Sequence, residues 1–242
     1  MSDVFYGDLA RYYDQIYKGK DYTKDIERLN SLLDHYGPPP GNDLLDIGCG
    51  TGTHIALLEQ MYTCTGVDIE EGMLAIARAK VPSANFVNED MRRMDLGREF
   101  DVVTSFFGTI GYAKDVEGLR ATISNMSRHL RAGGLLVVDP WYTPDGWIDG
   151  FVNLTTVDEP ELKIARVGFS TREGERSRME LHYLVAERGV GVRHLREVHE
   201  MGLFKVGTVL GLMRDAGLDP TFLEEGITDD VRGTYVAVKR GR

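Results

Sequence analysis

A glycine-rich segment that directly follows an apolar pair constrains the fold of this chain more than any other feature. Leu44 and Leu45 precede the sequence Asp46-Ile47-Gly48-Cys49-Gly50-Thr51-Gly52, and a helix-like segment follows it. A strand that runs through three glycines into a helix exposes backbone N–H groups and lets a ligand approach the main chain closely. The segment therefore predicts the first strand, loop and helix of an α/β ligand-binding domain.

An acidic residue marks the end of the next predicted strand. Asp68 follows Gly48 by twenty residues, an interval that suits one strand–helix unit and a second strand. A carboxylate at that position can accept hydrogen bonds from ribose hydroxyls. Up to this point the pattern fits a dinucleotide or an adenosyl group equally well.

The position of the third glycine separates these two ligands. A dinucleotide fingerprint, G-x-G-x-x-G, would place its last glycine at position 53, but the chain has Thr53 there and glycine at Gly52. The spacing that begins at Asp46 resembles instead the first motif of class I S-adenosylmethionine (SAM) methyltransferases. Glycines that serve only a turn are the alternative interpretation.

Three further segments resemble the same family, in the order that the family shows. They are the predicted strand end and helix from Asp68, the segment Asn88-Glu89-Asp90-Met91, and a predicted strand that ends at Phe106. The resemblance implies SAM as the cofactor. The cofactor-binding residues that it implies are Asp46, Gly48, Cys49, Gly50, Asp68, Ile69, Met73, Asp90, Met91 and Phe106.

The alternation of strands and helices predicts the fold class. It favours an α/β, Rossmann-like, seven-stranded and mostly parallel sheet with helices on both faces. Ala132-Gly133-Gly134 is typical of a helix end. The predicted elements are helix 22–35, strand 44–48, helix 52–61, strand 64–68, helix 71–80, strands 85–87 and 100–105, helix 115–131, strand 135–139, helix 205–216, and strands near 221–225 and 234–239.

Residues 151–204 break this alternation and show a two-residue period. Met179, Leu181 and Tyr183 face one way, while Arg178 and His182 face the other. We expect an antiparallel β insertion after strand five, with about three strands near 162–171, 177–186 and 192–203. The insertion is the expected seat of substrate specificity, and a sheet that only covers the core or forms a homodimer is the alternative.

Four segments follow from these patterns. They are an N-terminal helical cap at 1–40, a SAM-binding core at 41–150, the substrate insertion at 151–204, and the C-terminal part of the core at 205–242. The cap is rich in tyrosine. Its phenols either pack on the core or close over the cofactor.

The chain also resembles a narrower family, the N,N-dimethyltransferases of TDP-linked 3-amino deoxysugars in macrolide biosynthesis. The resembling segments are Tyr6-Gly7-x-Leu9-Ala10-x-x-Tyr13-Asp14, Gly19-Lys20-Asp21-Tyr22, Met73-Leu74-Ala75-Ile76-Ala77-Arg78, Ser170-Thr171-Arg172-Glu173-Gly174-Glu175 and His182-Tyr183-Leu184-Val185-Ala186. Because two of them lie in the insertion, outside the shared cofactor core, the likeness bears on the substrate.

This resemblance implies roles by position. Tyr13 neighbours the amine and Tyr22 the cofactor, Trp141 and Tyr142 form the pocket wall, and Arg232 binds the nucleotide phosphates through its planar fork of donors. Tyr6 and Arg178 complete the predicted substrate-binding residues.

One position departs from the narrower family. The chain has Ile110-Gly111-Tyr112 where these enzymes have Ile-Gly-His. A phenol with an ordinary pKa of about 10 is a poor proton acceptor. Either a base matters little in this enzyme or its substrate differs. Tyr112 stays a catalytic candidate, and His182, on the polar face of the insertion, is the other candidate base.

Composition limits the partners. The net charge of −10 opposes binding to nucleic acid or anionic membrane, and no apolar run approaches the length that spans a bilayer. We expect a cytoplasmic protein with a small-molecule substrate, two free thiols at Cys49 and Cys64, and no metal site.

The predicted function is SAM-dependent N-methylation of a small amine, with a TDP-linked amino sugar as the leading substrate. The nearest alternative is an O-methyltransferase of another small metabolite. An NAD-dependent dehydrogenase or epimerase and a SAM-binding regulatory subunit are the alternatives from other classes.

Overall fold

The protein contains two β-sheets and six α-helices in the part of the chain that the computed structural model describes, residues 6–228 and 232–241. The helices are α1 Tyr6–Ile16, α2 Tyr22–Tyr36, α3 Thr53–Leu58, α4 Glu71–Lys80, α5 Val116–Arg128 and α6 Val206–Asp215, with a 3₁₀ helix at Thr109–Ala113. The strands are β1 Asp43–Ile47, β2 Thr63–Asp68, β3 Asn85–Asn88, β4 Phe100–Ser105, β5 Leu130–Val138, β6 Phe151–Glu159, β7 Leu162–Glu173, β8 Arg176–Glu187, β9 Gly191–Gly202, β10 Leu218–Leu223 and β11 Thr234–Lys239.

The larger sheet has seven strands in the order β10-β11-β5-β4-β1-β2-β3. β11 runs antiparallel to both of its neighbours, and the other pairs are parallel. The predicted mostly parallel, Rossmann-like sheet is confirmed. Its parallel strands place their carboxyl ends along one edge, where the loops that follow them come together.

Both faces of this sheet are covered by helices. Leu44 and Leu45 are consecutive and both fully buried, yet they belong to opposite apolar layers. Leu44 packs in the layer that contains apolar residues of α2, α3 and α4, and Leu45 in the layer that contains those of α5 and α6. Strands with apolar residues at successive positions are typical of a sheet buried on both sides.

The second sheet is antiparallel, in the order β6-β7-β8-β9. Helix α1 packs on its inner face, where Leu9 and Tyr12 contact a layer that includes Val185 and Leu195. The insertion predicted after strand five is confirmed, but it has four strands, not about three. β6 was missed because it is an edge strand whose outward Val152 and Leu154 are as apolar as its inward residues, which hides the alternation.

Two other boundaries differ from the prediction. Helix α5 ends at Arg128, and Ala132-Gly133-Gly134 lies within β5, not at the helix end. Gly133 has φ of 78°, and the pairing of β5 with β4 shifts register beside it, so these glycines form a bulge. β10 begins earlier than predicted because Pro220 is tolerated on an edge strand.

The predicted free thiols are confirmed, since Cys49 and Cys64 are both unpaired and buried. Within residues 6–228 and 232–241, no helix is both long and apolar enough to cross a bilayer.

Candidate active site

A cavity of about 530 Å³ lies between the carboxyl edge of the large sheet and the inner face of the second sheet. Its wall combines residues of α1, the glycine loop after β1, the ends of β2 and β3, the 3₁₀ helix, and strands β6 to β9. The cavity therefore joins the segment predicted to bind the cofactor with the segment predicted to bind the substrate.

The glycine loop forms one side of this cavity. Gly48 and Gly50 line it with φ angles of 75° and 53°, which L side chains rarely adopt. A Cβ atom on Gly48 would lie 2.3 Å from Cγ2 of Thr109. The missing side chain thus lets the loop pass directly against the 3₁₀ helix.

Asp68 lies at the carboxyl end of β2 and lines the cavity beside this loop. Its Oδ2 accepts a hydrogen bond from the Gly50 N–H at 2.8 Å, and its Oδ1 accepts one from the Glu70 N–H at 2.9 Å. Burial raises the pKa of the carboxyl group, while the backbone N–H donors oppose that rise. A carboxylate fixed in this way fits the predicted contact with ribose hydroxyls.

Three apolar side chains line the cavity near Asp68. Ile69, Met73 and Met91 line the cavity, and Asp90 lies next to them. Arg92 donates to the Asp90 carboxylate at 2.7 Å and lowers its pKa. Apolar side chains with a carboxylate among them are the kinds of group that fit an adenosine.

Two residues of the predicted cofactor site, Asp46 and Cys49, are buried at the glycine loop. Asp46 is 2% exposed and accepts a hydrogen bond from the Thr104 hydroxyl at 2.9 Å. Its pKa is raised to about 6, because its burial outweighs the hydrogen bond. The Cys49 thiol is buried against Gly66, where a Cβ atom would lie 2.7 Å from its sulfur, and burial also raises its pKa.

The aromatic residue on the cofactor side is one position later than predicted. Phe106 is buried and stacks on His54, whereas Phe107, with φ of 59°, lines the cavity. Tyr22, predicted to contact the cofactor, lies behind Phe107 in a stacked arrangement with ring centres 6.0 Å apart. The left-handed backbone at Phe107 reverses which of the two rings faces the cavity.

The predicted acceptor residues Tyr13 and Tyr112 both line the cavity. Burial raises the pKa of Tyr13 well above its ordinary value, and Tyr17, Tyr22, Tyr112 and Asp68 raise it further. The Tyr13 phenol is therefore neutral and can donate or accept one hydrogen bond. Tyr12, one residue earlier, packs in an apolar cluster, so α1 turns one phenol into the core and the next toward the cavity.

Trp141 also lines the cavity, and its indole N–H donates to the Ser177 hydroxyl at 3.0 Å. Tyr142 lies behind it, edge to face, with ring centres 4.9 Å apart. The guanidinium of Arg232 lies 5.3 Å from both ring centres and 3.4 Å from Asp139, with 8% of its side chain exposed. Arg232 thus holds Trp141 in place from behind.

Of the last three predicted residues, two lie away from the cavity, and the side chain of the third lies outside the described residues. Arg178 and His182 lie on the outer face of the second sheet, where both bond to Glu180. The alternation of β8 requires this, because Met179, Leu181 and Tyr183 point inward to the cavity. The Tyr6 side chain lies outside the described residues.

Sequence reasoning missed several charged or titratable residues of the cavity wall, among them Arg166, Glu197 and His199 of the second sheet. The Nδ1 atom of His199 lies 2.7 Å from the Tyr112 hydroxyl, and Arg166 donates to Tyr17 at 3.2 Å. The same two-residue period holds in β9. It places Glu197 and His199 on one face of that strand, which is the inward face that Tyr183 shares.

Comparison with known proteins agrees with this geometry. A family model described as a methyltransferase domain matches residues 44–134, which span the glycine loop, Asp68 and Asp90. The dTDP-3-amino-3,4,6-trideoxy-alpha-D-glucopyranose N,N-dimethyltransferase of Streptomyces venezuelae is 38% identical over 234 residues, covering 96% of this chain and 98% of the relative.

Two solved structures resemble the whole chain. The sugar N-methyltransferase KedS8 from Streptoalloteichus is 33% identical with a TM-score of 0.87, covering 100% of this chain and 95% of KedS8. CalS10 of Micromonospora echinaspora, an amino pentose methyltransferase solved with SAM bound, is 31% identical with a TM-score of 0.83, covering 99% of each chain. The chain is a SAM-dependent methyltransferase and belongs to the family that contains the dTDP-amino-sugar N,N-dimethyltransferases.

Proposed function

We propose that this enzyme methylates the amine of a dTDP-linked amino sugar. The relatives with which it shares nearly its whole length are named for that activity or for sugar N-methylation. The observation that carries the proposal is the shared cavity, in which Tyr13 and Tyr112 lie between the cofactor loop and the strands of the insertion.

The cavity wall provides what an amine acceptor needs. SAM supplies a methyl group that is already activated on a sulfonium, so holding the acceptor nitrogen in line provides most of the acceleration. The buried phenol of Tyr13 is kept neutral and can hydrogen-bond to an amine without a charge. Trp141 offers an aromatic face for the sugar ring, and its position is fixed by Ser177 and Arg232.

The proposal is tested by comparing turnover on a dTDP-3-amino-deoxysugar with turnover on its 3-hydroxy counterpart. We expect methyl transfer to the amino compound and two successive methylated products by mass spectrometry. Faster reaction of the hydroxy compound would favour an O-methyltransferase and overturn the proposal. A protein that binds S-adenosylhomocysteine (SAH) but methylates neither compound would be a regulatory SAM-binding protein.

We place the reaction in the cytoplasm and on a small molecule. The chain carries a net charge of −10, and Asp68, Glu70 and Glu89 face the cavity, which disfavours a polyanionic nucleic acid as acceptor. The two buried thiols are consistent with a reducing compartment.

We also propose separate roles for the four segments of the chain and a contact between two copies of it. Residues 1–40 form a cap, 41–150 bind SAM, 151–204 select the acceptor, and 205–242 complete the core. The outer face of β6 and β7 exposes Val152, Leu154, Val167 and Phe169, which are adjacent in register. A contiguous apolar patch of this kind is typical of an interaction surface, and we assign it to a homodimer.

A further inference from the structure

Tyr112 lies in a chain of hydrogen-bonding groups that runs away from the cavity into the second sheet. Its hydroxyl lies 2.7 Å from Nδ1 of His199. Nε2 of the same imidazole faces Oε2 of Glu197 at 3.5 Å. Glu197 is held in turn by the Tyr183 hydroxyl, which donates to Oε2 at 2.7 Å.

The fold fixes this arrangement. His199 pairs with Met179 and Glu197 with Leu181, so both side chains point inward with the cavity-lining residues of β8. Gly111 allows β9 to approach the 3₁₀ helix, since a Cβ atom there would lie 2.8 Å from Cε of Met201. His199 and Glu197 are 5% and 8% exposed, so this network is buried within the cavity wall.

We propose that Tyr112 and His199 form a proton relay that deprotonates the acceptor amine before methylation, with Glu197 stabilising the imidazolium that results. This inference rests on the proposed function, because it requires an amine acceptor. An aliphatic amine is mostly protonated near neutral pH and then has no lone pair to attack a methyl group. Imidazole is the side chain most often used to accept a proton near neutral pH, and His199 presents one to the Tyr112 hydroxyl.

The atoms balance in two steps. First, an N–H bond of the ammonium breaks as its proton passes to the Tyr112 oxygen, while the Tyr112 O–H proton passes to Nδ1 of His199. The nitrogen lone pair then forms the new N–C bond, and the electrons of the broken S–C bond remain on the cofactor sulfur. The product is again an ammonium ion, so a second methylation needs the same relay after His199 returns its proton to water.

Glu197 is suited to stabilise the imidazolium. Among the described residues, none hydrogen-bonds to its buried Oε1, so the carboxylate is incompletely satisfied next to the imidazole. A positive charge on His199 compensates a buried negative charge at short range.

Other titratable groups face the same cavity and enter the pH dependence. His199 is the one imidazole among the described residues of its wall. The remaining charged or titratable groups there are Tyr13, Tyr17, Asp68, Glu70, Glu89, Asp90, Arg92, Lys114, Arg166, Tyr183 and Glu197.

The test compares Tyr112→Phe, His199→Gln and the double variant with the wild type over a pH series, using a dTDP-3-amino-deoxysugar as substrate. We expect kcat/KM to fall about 100-fold in each single variant near pH 7. The loss should shrink to less than about 5-fold near pH 9.5, because the amine then arrives deprotonated. The double variant should be no slower than either single variant, since the two residues act as one unit.

His194→Gln is the matched control, because His194 lies on the outer face of the same strand. It should keep wild-type kcat/KM at every pH, and all variants should bind SAH as the wild type does. A loss that is equal at all pH values, or that multiplies in the double variant, would assign a purely structural role and overturn the relay. A wild type that methylates no amine overturns the proposed function as well, whereas an active wild type with unimpaired variants overturns the relay alone.

Discussion

The Asp68 carboxylate accepts one backbone N–H on each of its oxygens, so its position depends on its being an aspartate. Asp68→Asn replaces one acceptor with an amide donor that faces a donor. We expect the dissociation constant for SAH to rise about 10- to 100-fold, equivalent to roughly 1.4–2.8 kcal/mol. Isothermal titration calorimetry measures this change.

Asp95→Asn is a suitable control for that measurement. Asp95 is exposed, and its carboxylate accepts a hydrogen bond from the nearby Gly97 N–H, so it makes a similar local contact away from the cavity. This variant should bind SAH like the wild type. If Asp68→Asn binds SAH equally well, Asp68 does not hold the ribose.

Asp46 predicts a dependence of stability on pH. In the folded protein its pKa is about 6, whereas its ordinary value is 3.8. Between these values the folded state binds more protons than the unfolded state, so this residue's contribution is fully present below about pH 3.8 and is lost as the pH rises to about 6. Asp46→Asn keeps an acceptor for Thr104 and removes the buried charge.

We therefore expect Asp46→Asn to increase the free energy of unfolding at neutral pH, by at most about 3 kcal/mol. The difference from the wild type should vanish near pH 3.8 and reach a plateau above about pH 6. Urea unfolding at a series of pH values measures it. A variant that is less stable at neutral pH would show that the Asp46 carboxylate is stabilised by partners in the fold.

Helix α1 is tied to the cofactor loop through one carboxylate. Thr51 donates to Oδ1 of Asp14 at 2.6 Å, and Lys80 of α4 lies 2.8 Å from its Oδ2. Because Tyr13 precedes Asp14, this contact also positions the acceptor phenol. We expect Asp14→Ala to raise the dissociation constant for SAH about 10-fold and to make the N-terminal segment more sensitive to limited proteolysis.

Lys18→Ala tests whether any lost ion pair in this region would have the same effect. Lys18 pairs with Glu159 on the surface, with 71% of its side chain exposed, and such pairs contribute little. The Lys18→Ala variant should bind SAH and resist limited proteolysis as the wild type does. Equal effects in the two variants would show that α1 is held by its apolar contacts and not by Asp14.

The helices and strands of the core could be predicted because hydrophobic periodicity and glycine spacing are local signals. Helix 71–80 and strands 100–105 and 234–239 are confirmed at both ends. Gly134 led to the wrong prediction of a helix end. The glycine is instead needed because β5 passes close to β4, where a Cβ atom on Gly134 would lie 2.7 Å from the Asp101 carbonyl oxygen. A contact between strands that are far apart in the sequence leaves no pattern in the sequence of either strand.

The candidate site divides in the same way. That Asp68, Met73 and Asp90 line the cavity was predictable, since a motif with fixed spacing positions them. Phe107 lines the cavity and Phe106 does not, because the backbone at Phe107 is left-handed, which no pattern indicates for phenylalanine. The place of His199 in the cavity wall depends on how β9 pairs with β8. The sequence indicates this only through the two-residue alternation, which was used for β8 and not for β9.

The two sheets have different tasks. The large sheet supplies a rigid edge for the cofactor, and the small sheet closes the cavity on its inner face while it exposes apolar residues on its outer face. Covering the outer face of β6 and β7 with a second copy would stiffen the strands that carry Asn153 and Arg166 in the cavity wall. Dimerisation and acceptor binding are therefore expected to be coupled.

The proposed dimer predicts a change of mass for a substitution in the apolar patch of β6 and β7. Phe169 is 50% exposed and pairs with Val152, which is 68% exposed. A lysine at Phe169 would bury a charge in the interface, so Phe169→Lys should convert a dimer to a monomer of 27.1 kDa, measured by light scattering after size exclusion. Val190→Lys, at an exposed turn between β8 and β9, should leave the dimer intact. A wild type that elutes as a monomer at micromolar concentration would contradict the proposal.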